Sequence, residues 1–301
     1  MLFIGVSTSG SSIFELFPRW GEILGVEASI EGYDIPLGAQ PDAFRGPVEL
    51  IAGDPAVLGA LVTTHKVDVY RHARRAFDEL DENARLCREV SCISKRDGAL
   101  IGHAKDPITA GRTLAEFLPQ NHWASGAQAL CIGAGGAGTA ITVHLIRSDP
   151  APEVVVVRDV DPRRLRMLAA VISDLPTEAK VRFQHVGSLD STDAVLERLP
   201  PGSLVVNATG LGKDAPGSPI RDQTLFPERA VVWELNYRGD LRFLEQARRQ
   251  QGARKLQIHD GWRYFLHGWS EVIAEVFHLQ LTPKLFERLA EAAEPQRPPA
   301  A

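Results

Sequence analysis

The stretch Gly133-Ala134-Gly135-Gly136-Ala137-Gly138 has the residue types to hold a pyrophosphate against bare backbone. In such a turn Gly133 permits the tight reversal, Gly135 lets the main chain approach the phosphates, and Gly138 lets the next helix pack close to the preceding strand. An apolar run, 129–132, comes before it, and a segment suited to a helix, 139–146, follows. A helix starting there points unpaired N–H groups and the positive end of its dipole at an anion. A second strand-like run, 153–157, ends in Arg158-Asp159. Asp159 lies roughly 20 residues beyond the turn, where an acid accepts the ribose hydroxyls of NAD. Arg158, Arg163 and Arg164 are the residue types for the extra phosphate of NADP, so NAD is the expected cofactor and NADP the alternative. In a plainer reading, Asp159 and Asp161 only shape the turn before Pro162. Further on, Asn207-Ala208-Thr209-Gly210-Leu211-Gly212 is a glycine loop at a strand's C-terminal end, where open α/β sheets bind ligands.

Positioning these loops takes alternating strands and helices. In the first third, the apolar patterns predict strands at 2–6, 26–30, 48–51 and 60–64, and a hairpin pairing 90–94 with 99–102 across Arg96-Asp97-Gly98. Helices are expected from Ile13 to a stop at Gly25, with Pro18 inside the pattern, and over 69–86. Asp106-Pro107 reads as a helix start, acid at the cap and proline in the first turn. The crossing between two domains is placed along that helix. Beyond the glycine turn come strands at 181–185, 203–207 and 230–235, then helices at 163–172, 241–250, 264–278 and 285–293. A Pro-rich tail, 294–301, is expected to be disordered.

Composition narrows the class. With 301 residues, 44% hydrophobic and 24% charged, the chain is long enough for two globular domains. A net charge of -5 argues against nucleic acid or an anionic membrane as the main partner. No apolar run approaches the roughly 20 residues of a membrane span, and Met1-Leu2-Phe3-Ile4-Gly5-Val6 reads as a first strand rather than a signal peptide. Cys87, Cys92 and Cys131 form no close pair, and nine scattered histidines give no metal-ligand spacing. The expectation is a cytoplasmic protein with reduced, buried thiols, no metal and a small-molecule partner, as a monomer or homodimer.

Four segments in order resemble the shikimate/quinate dehydrogenase family over nearly the whole chain. They are 59–66 with its lysine, Asp97-Gly98 through Asp106, the glycine turn with Asn207-Ala208-Thr209, and Glu234-Leu235-Asn236-Tyr237 followed by Asp260-Gly261. The resemblance implies an α/β protein of two domains. A substrate domain, 1–108, would be completed by C-terminal helices, 262–293, and would clasp a Rossmann dinucleotide domain, 109–261, across a cleft. It implies hydride transfer between a nicotinamide and a ring carbon bearing a hydroxyl or ketone, as with 3-dehydroshikimate, shikimate or quinate. It also places Lys66 and Asp106 as the proton-handling pair and Gly261 beside the cofactor. The chemistry is sound, because a ketone being reduced needs a proton donor beside the oxygen that turns negative. Burial and a neighbouring carboxylate shift a lysine in opposite directions. Outside the resemblance, Lys66 reads as a loop lysine and Asp106 as a helix cap.

The departures from the family pattern fall on the substrate side. Ser11 stands at the first serine of the carboxylate-binding segment, but Ile13 takes the second and Phe14 the proline. Ser91 replaces the hydroxyl-binding asparagine, and Ala104-Lys105-Asp106 replaces Asn-Thr-Asp. The lysine loop, Val62-Thr63-Thr64-His65-Lys66, is one residue short and lacks its proline, while Thr63 is kept. Gly268 stands where a glutamine contacts substrate, and Tyr237 is placed to line the site. These changes remove hydrogen-bond partners for a carboxylated polyol, and a site without such partners binds the polyol poorly. The expected substrate is a related, less polar cyclic hydroxy or keto compound. The alternatives are an idle relative that binds nucleotide or metabolite, and a Rossmann enzyme for another substrate class.

Overall fold

The computed structural model describes residues 1–298 apart from 174, 188, 189 and 214. The chain divides into two compact units, Met1–Thr109 with Leu266–Arg297, and Ala110–Phe265 with Pro298–Ala301. The first unit carries strands Leu2–Gly5 (β1), Glu31–Asp34 (β2), Gly59–Val62 (β3), Glu79–Leu80 (β4), Cys92–Arg96 (β5) and Ala99–His103 (β6). They form one sheet in the order β2-β1-β3-β5-β6-β4. β1 runs parallel to β2 and β3, while β5 is antiparallel to both β3 and β6. The β5–β6 hairpin turns at Asp97 (φ 51°) and Gly98 (φ 84°), two successive left-handed residues as a tight two-residue turn requires. Helices Trp262–Val276 and Pro283–Ala293 return to this unit from Leu266 onward. Trp20 Nε1 donates to Leu289 O at 2.9 Å, and the Phe3 ring meets Trp269 edge-on at 4.9 Å.

The second unit holds Ala129–Ile132 (β7), Val154–Asp159 (β8), Lys180–His185 (β9), Leu204–Asn207 (β10), Val231–Glu234 (β11) and Gln257–His259 (β12). All are parallel, in the order β12-β11-β10-β7-β8-β9. Successive residues of the central strands feed opposite faces. Cys131, Val155, Val157, Val206 and Trp233 enter one core, and Leu130, Ile132, Val156, Val205 and Val232 enter the other. Both faces are therefore covered, which is why these strands read as unbroken apolar runs. The strand order reverses between β7 and β10, so the glycine turn after β7 and the Asn207 loop after β10 leave the sheet side by side at the switch point. Among the described residues no helix is long and apolar enough to cross a membrane.

Three local expectations fail, each for a tertiary reason. Residues 26–30 form no strand; pairing with β1 begins at Glu31, and the Asp34 carboxylate fixes this strand by accepting from Thr8 N–H (2.9 Å) and Thr8 Oγ1 (2.7 Å). Residues 48–51 lie in a helix, Pro41–Gly53, whose buried side chains Phe44, Val48 and Ile51 recur at helical rather than alternating spacing. The helix expected over 69–86 is broken into Lys66–Ala73, a 3-10 turn and Glu82–Cys87. Between them Glu79–Leu80 pairs with β6, and Asp81 caps the next helix by accepting from Ala84 N–H at 2.6 Å. At the C-terminus Glu294–Gln296 make a 3-10 turn, and 299–301 of the expected tail lie outside the described residues.

The helical phase of 41–53 is testable. Ile51→Ala should cost about 2–5 kcal/mol of unfolding free energy, whereas half-exposed Leu50→Ala should stay within about 0.5 kcal/mol. Urea denaturation of the two variants reads the difference, and equal losses would contradict the helix.

Candidate active site

In the first unit, Lys66 opens helix Lys66–Ala73 and Asp106 opens helix Asp106–Ala115. Their side chains meet in a hydrogen-bonded ion pair, with 18% and 11% of the side chains exposed. Burial pushes the Lys66 ammonium down, but Asp106 beside it and Glu89 nearby outweigh that, and the net direction is upward. The approach to Lys66 is a tight reversal with Thr64 at φ 53°. Thr63 N–H donates to Ile4 O at 2.9 Å, and buried His65 sets its Nε2 2.7 Å from Ile35 O with its ring against Phe44. His65 thus anchors the shortened loop, a role the sequence pattern did not suggest.

The other substrate-side candidates share this unit but turn much of their polarity inward. Ser91 Oγ accepts from Lys105 N–H at 2.8 Å, and Ser11 Oγ faces Ile13 N–H at 3.5 Å. Ile13 is wholly buried, as the first residue of helix Ile13–Leu24. Gly268 leaves ordinary clearance, the nearest side chain being Thr109 at 3.8 Å from where a Cβ would sit. The Lys105 ammonium pairs with Glu275 rather than with Asp106. Tyr237 belongs to the second unit, its ring 4.5 Å from Phe265 and 5.3 Å from Trp262.

In the second unit the glycines have separable duties. Gly133 sits at φ 109°, and a Cβ there would fall 2.6 Å from Ala208 O. At Gly138 a Cβ would lie 1.9 Å from Gly133 O, so helix Gly136–Arg147 packs against its own turn only because that atom is missing. Gly135, at the N-cap, has nothing within 4 Å of a Cβ, and no side chain caps the helix. Open space in front of unpaired helix N–H groups fits a pyrophosphate. Asp159 closes the turn from the side, accepting from Ala134 N–H and Asp161 N–H at 2.7 Å each. Arg158 points elsewhere: it is buried and donates to Gln184 Oε1 at 2.7 Å.

The adjacent loop hangs from one buried amide. Asn207 Oδ1 accepts from Thr209 N–H (3.1 Å) and Thr209 Oγ1 (2.7 Å), while its Nδ2 donates to Glu234 Oε2 at 2.6 Å. Glu234 Oε1 accepts from Asn236 N–H at 2.8 Å. Burial pushes the Glu234 carboxyl up to about 7, against the pull of these donors. Ala208 N–H continues the ladder to Ile132 O, and at Gly261 a Cβ would lie 1.9 Å from Leu235 O.

No protein-family model matches the chain. In sequence it is similar to the Shikimate dehydrogenase (NADP(+)) of Symbiobacterium thermophilum, 29% identical over 253 residues that make up 80% of each chain. In structure it is similar to shikimate 5-dehydrogenase from Thermus thermophilus in complex with NADP(H) and shikimate. That match has a TM-score of 0.71 and 25% identity, over 97% of this chain and 98% of the other. The chain is thus similar to shikimate dehydrogenases in sequence over most of its length and in fold. These relatives are named as dehydrogenases of shikimate that use NADP(+) or bind NADP(H). The ligand-free 5-ketofructose reductase of a Gluconobacter strain shares the fold alone, with a TM-score of 0.68 and 20% identity over 96% of each chain. Fold by itself therefore does not fix the substrate.

One acid near the pair escaped the sequence reading. Glu89, between the αL cap Arg88 and the run Val90-Ser91-Cys92-Ile93, is wholly buried, and neither carboxyl oxygen has a hydrogen-bond partner among the described residues. A charge next to Arg88 at the mouth of an apolar strand was the available signal.

Two outcomes test this geometry. Gly138→Ala should lower thermal stability through its backbone clash. Gly135→Ala should leave stability within about 0.5 kcal/mol yet weaken binding of NAD(H) or NADP(H) in calorimetric titration. For Glu234 the sign follows from the raised native value: the unfolded chain releases this proton near the ordinary 4.5 and the native state only near 7. Relative to Glu234→Gln, the wild type should therefore lose stability as pH rises from about 4.5 to about 7, by about 3 kcal/mol in all. A pH-independent difference in urea denaturation would refute the assignment.

Proposed function

We propose that the chain interconverts a ring ketone and the corresponding alcohol, with Lys66 and Asp106 handling the proton and NAD as the preferred dinucleotide. The observation that carries this is the ion pair itself, two residues 40 apart in sequence joined at the starts of two helices. A nicotinamide, when bound, supplies the hydride to the carbonyl carbon or takes it back. Lys66 Nζ gives a proton to the oxygen that becomes negative, the N–H bond breaking as the O–H bond forms. Asp106 orients the amine and favours its recharging from solvent. In the oxidative direction the pair removes the hydroxyl proton, so Lys66 must first be uncharged. Its upward shift keeps Lys66 protonated near neutral pH, the state from which a proton can be given.

Gly133, Ala134, Gly135, Gly136, Ala137 and Gly138 would hold the pyrophosphate, and Asp159 the ribose, with Asn207, Ala208, Thr209 and Gly261 shaping the neighbouring loops. NAD is supported by the local charges. Asp159 is the acid at the end of β8, Arg158 is turned into the interior, Arg163 is engaged by Asp161 at 2.9 Å, and Arg164 lies 3.9 Å from Asp159. The relatives are named for NADP(+), so the comparison of the two cofactors is informative. On the substrate side, Ser11, Ile13, Thr63, Ser91, Tyr237 and Gly268 are the proposed neighbours. The inward hydrogen bonds of Ser11 and Ser91, with the bare Gly268, support a ring less polar than shikimate.

Lys66→Met and Asp106→Asn should each lower kcat by about 10²–10⁴-fold while dinucleotide binding is retained. A panel of 3-dehydroshikimate, shikimate, quinate and ring ketones without a carboxylate, each with NAD(H) and NADP(H), should give the highest kcat/KM on a less polar ring with NAD(H). Efficient ordinary turnover of shikimate would overturn the substrate assignment.

A further inference from the structure

We propose that Glu89 is a third member of the Lys66–Asp106 pair, a positioning residue whose charge state governs how readily Lys66 releases its proton. The proposal rests on the proton role given above to Lys66. Glu89 is tied to both partners through the backbone. The next residue, Val90, donates its N–H to Lys66 O at 3.0 Å. One residue further, Ser91 N–H donates to His103 O at 2.8 Å, and Ser91 Oγ accepts from Lys105 N–H, the residue before Asp106. Arg88, at φ 53°, reverses the chain after helix Glu82–Cys87 and delivers Glu89 to the interior.

A buried carboxylate without a hydrogen bond is costly and is expected to stay neutral. The groups that act on Glu89 electrostatically are Asp106 and Lys66. Lys66 and Asp106 cancel each other's charge, so an ionised Glu89 would have no counter-charge of its own. Burial, then the Asp106 carboxylate, push Glu89 up to about 8 against the pull of Lys66. Below that pH the trio is neutral, and Lys66 can hand a proton to a substrate oxygen leaving a single negative charge behind. Above it, the same transfer leaves two carboxylates facing an uncharged amine. Reduction is thus disfavoured once Glu89 ionises, while proton removal in the oxidative direction is helped.

Carbon-13 NMR of protein labelled at glutamate Cδ reads the first part without any substrate. Apart from the Glu234 signal near pH 7, one resonance should titrate near pH 8, vanish in Glu89→Gln, move to higher pH in Lys66→Met and to lower pH in Asp106→Asn. The second part is the pH profile of ketone reduction. The wild-type fall near pH 8 should be displaced upward in Glu89→Gln, which keeps shape and packing, and restored in Glu89→Asp. Titration of Glu89 among the ordinary glutamates, or no movement in Asp106→Asn, would overturn the coupling. Superimposable pH profiles for wild type and Glu89→Gln would overturn the effect on Lys66. Absence of turnover with every ring ketone would instead count against the proposed reaction, leaving the NMR arms to decide the Glu89 coupling alone.

Discussion

An ammonium at the start of a helix is in the wrong place. The unpaired N–H groups there carry partial positive charge and repel it, and Lys66 occupies the first position of its helix. Asp106 occupies the first position of another helix, where the same field favours a carboxylate. Bringing the two together relieves Lys66 and uses the tendency of Asp106. The first unit is arranged so that this contact is met: β3 delivers the lysine loop, β6 delivers Asp106, and β5 lies between them in the sheet. The short turn at Thr64, the buried His65 and the Ser91–Lys105 link all restrict how far the two helix starts can drift. A polar contact that depends on so many backbone anchors is held by the sheet rather than by its own strength.

The second unit solves a different problem with the same economy. Its turn must leave N–H groups unpaired, which a folded chain ordinarily avoids. Gly138 allows the helix to sit so close to Gly133 that the turn needs no capping side chain, and Asp159 satisfies the amides of Ala134 and Asp161 on the far side. What stays open is the region in front of Gly135. The Asn207–Glu234 pair performs the matching task one strand away, replacing two ladder hydrogen bonds with side-chain ones so that 208–211 can leave the sheet as a loop.

Much of this was readable in the residues. The β7 strand, glycine turn and helix announce themselves because glycine spacing and apolar periodicity agree, and the parallel strands because both faces are buried. Where the reading failed, local pattern and tertiary pairing conflicted. Val48-Glu49-Leu50-Ile51 is strand-like over four residues, and only the longer spacing from Phe44 reveals the helix. The break at Asp78–Asp81 was invisible because Asp78 and Asp81 act on partners far along the chain, Leu100 N–H and Ala104 N–H among them. At the site, Lys66 and Asp106 are unremarkable singly, and their meeting is a property of the sheet. Ile13, read as added apolar surface, is wholly buried as the first residue of its helix.

The polar groups of the substrate side show why the family pattern cannot simply be carried over. Ser11 and Ser91 accept from Ile13 N–H and Lys105 N–H through Oγ and keep their O–H donors, whereas the Lys105 ammonium is paired with Glu275. A ligand that needed the Lys105 ammonium would have to break its pair with Glu275, losing on one side about what it gained on the other. A ligand that made no such demand would meet no such loss. Beside these satisfied groups and the Lys66–Asp106 pair, the wholly buried carboxyl of Glu89 stands without a hydrogen bond among the described residues.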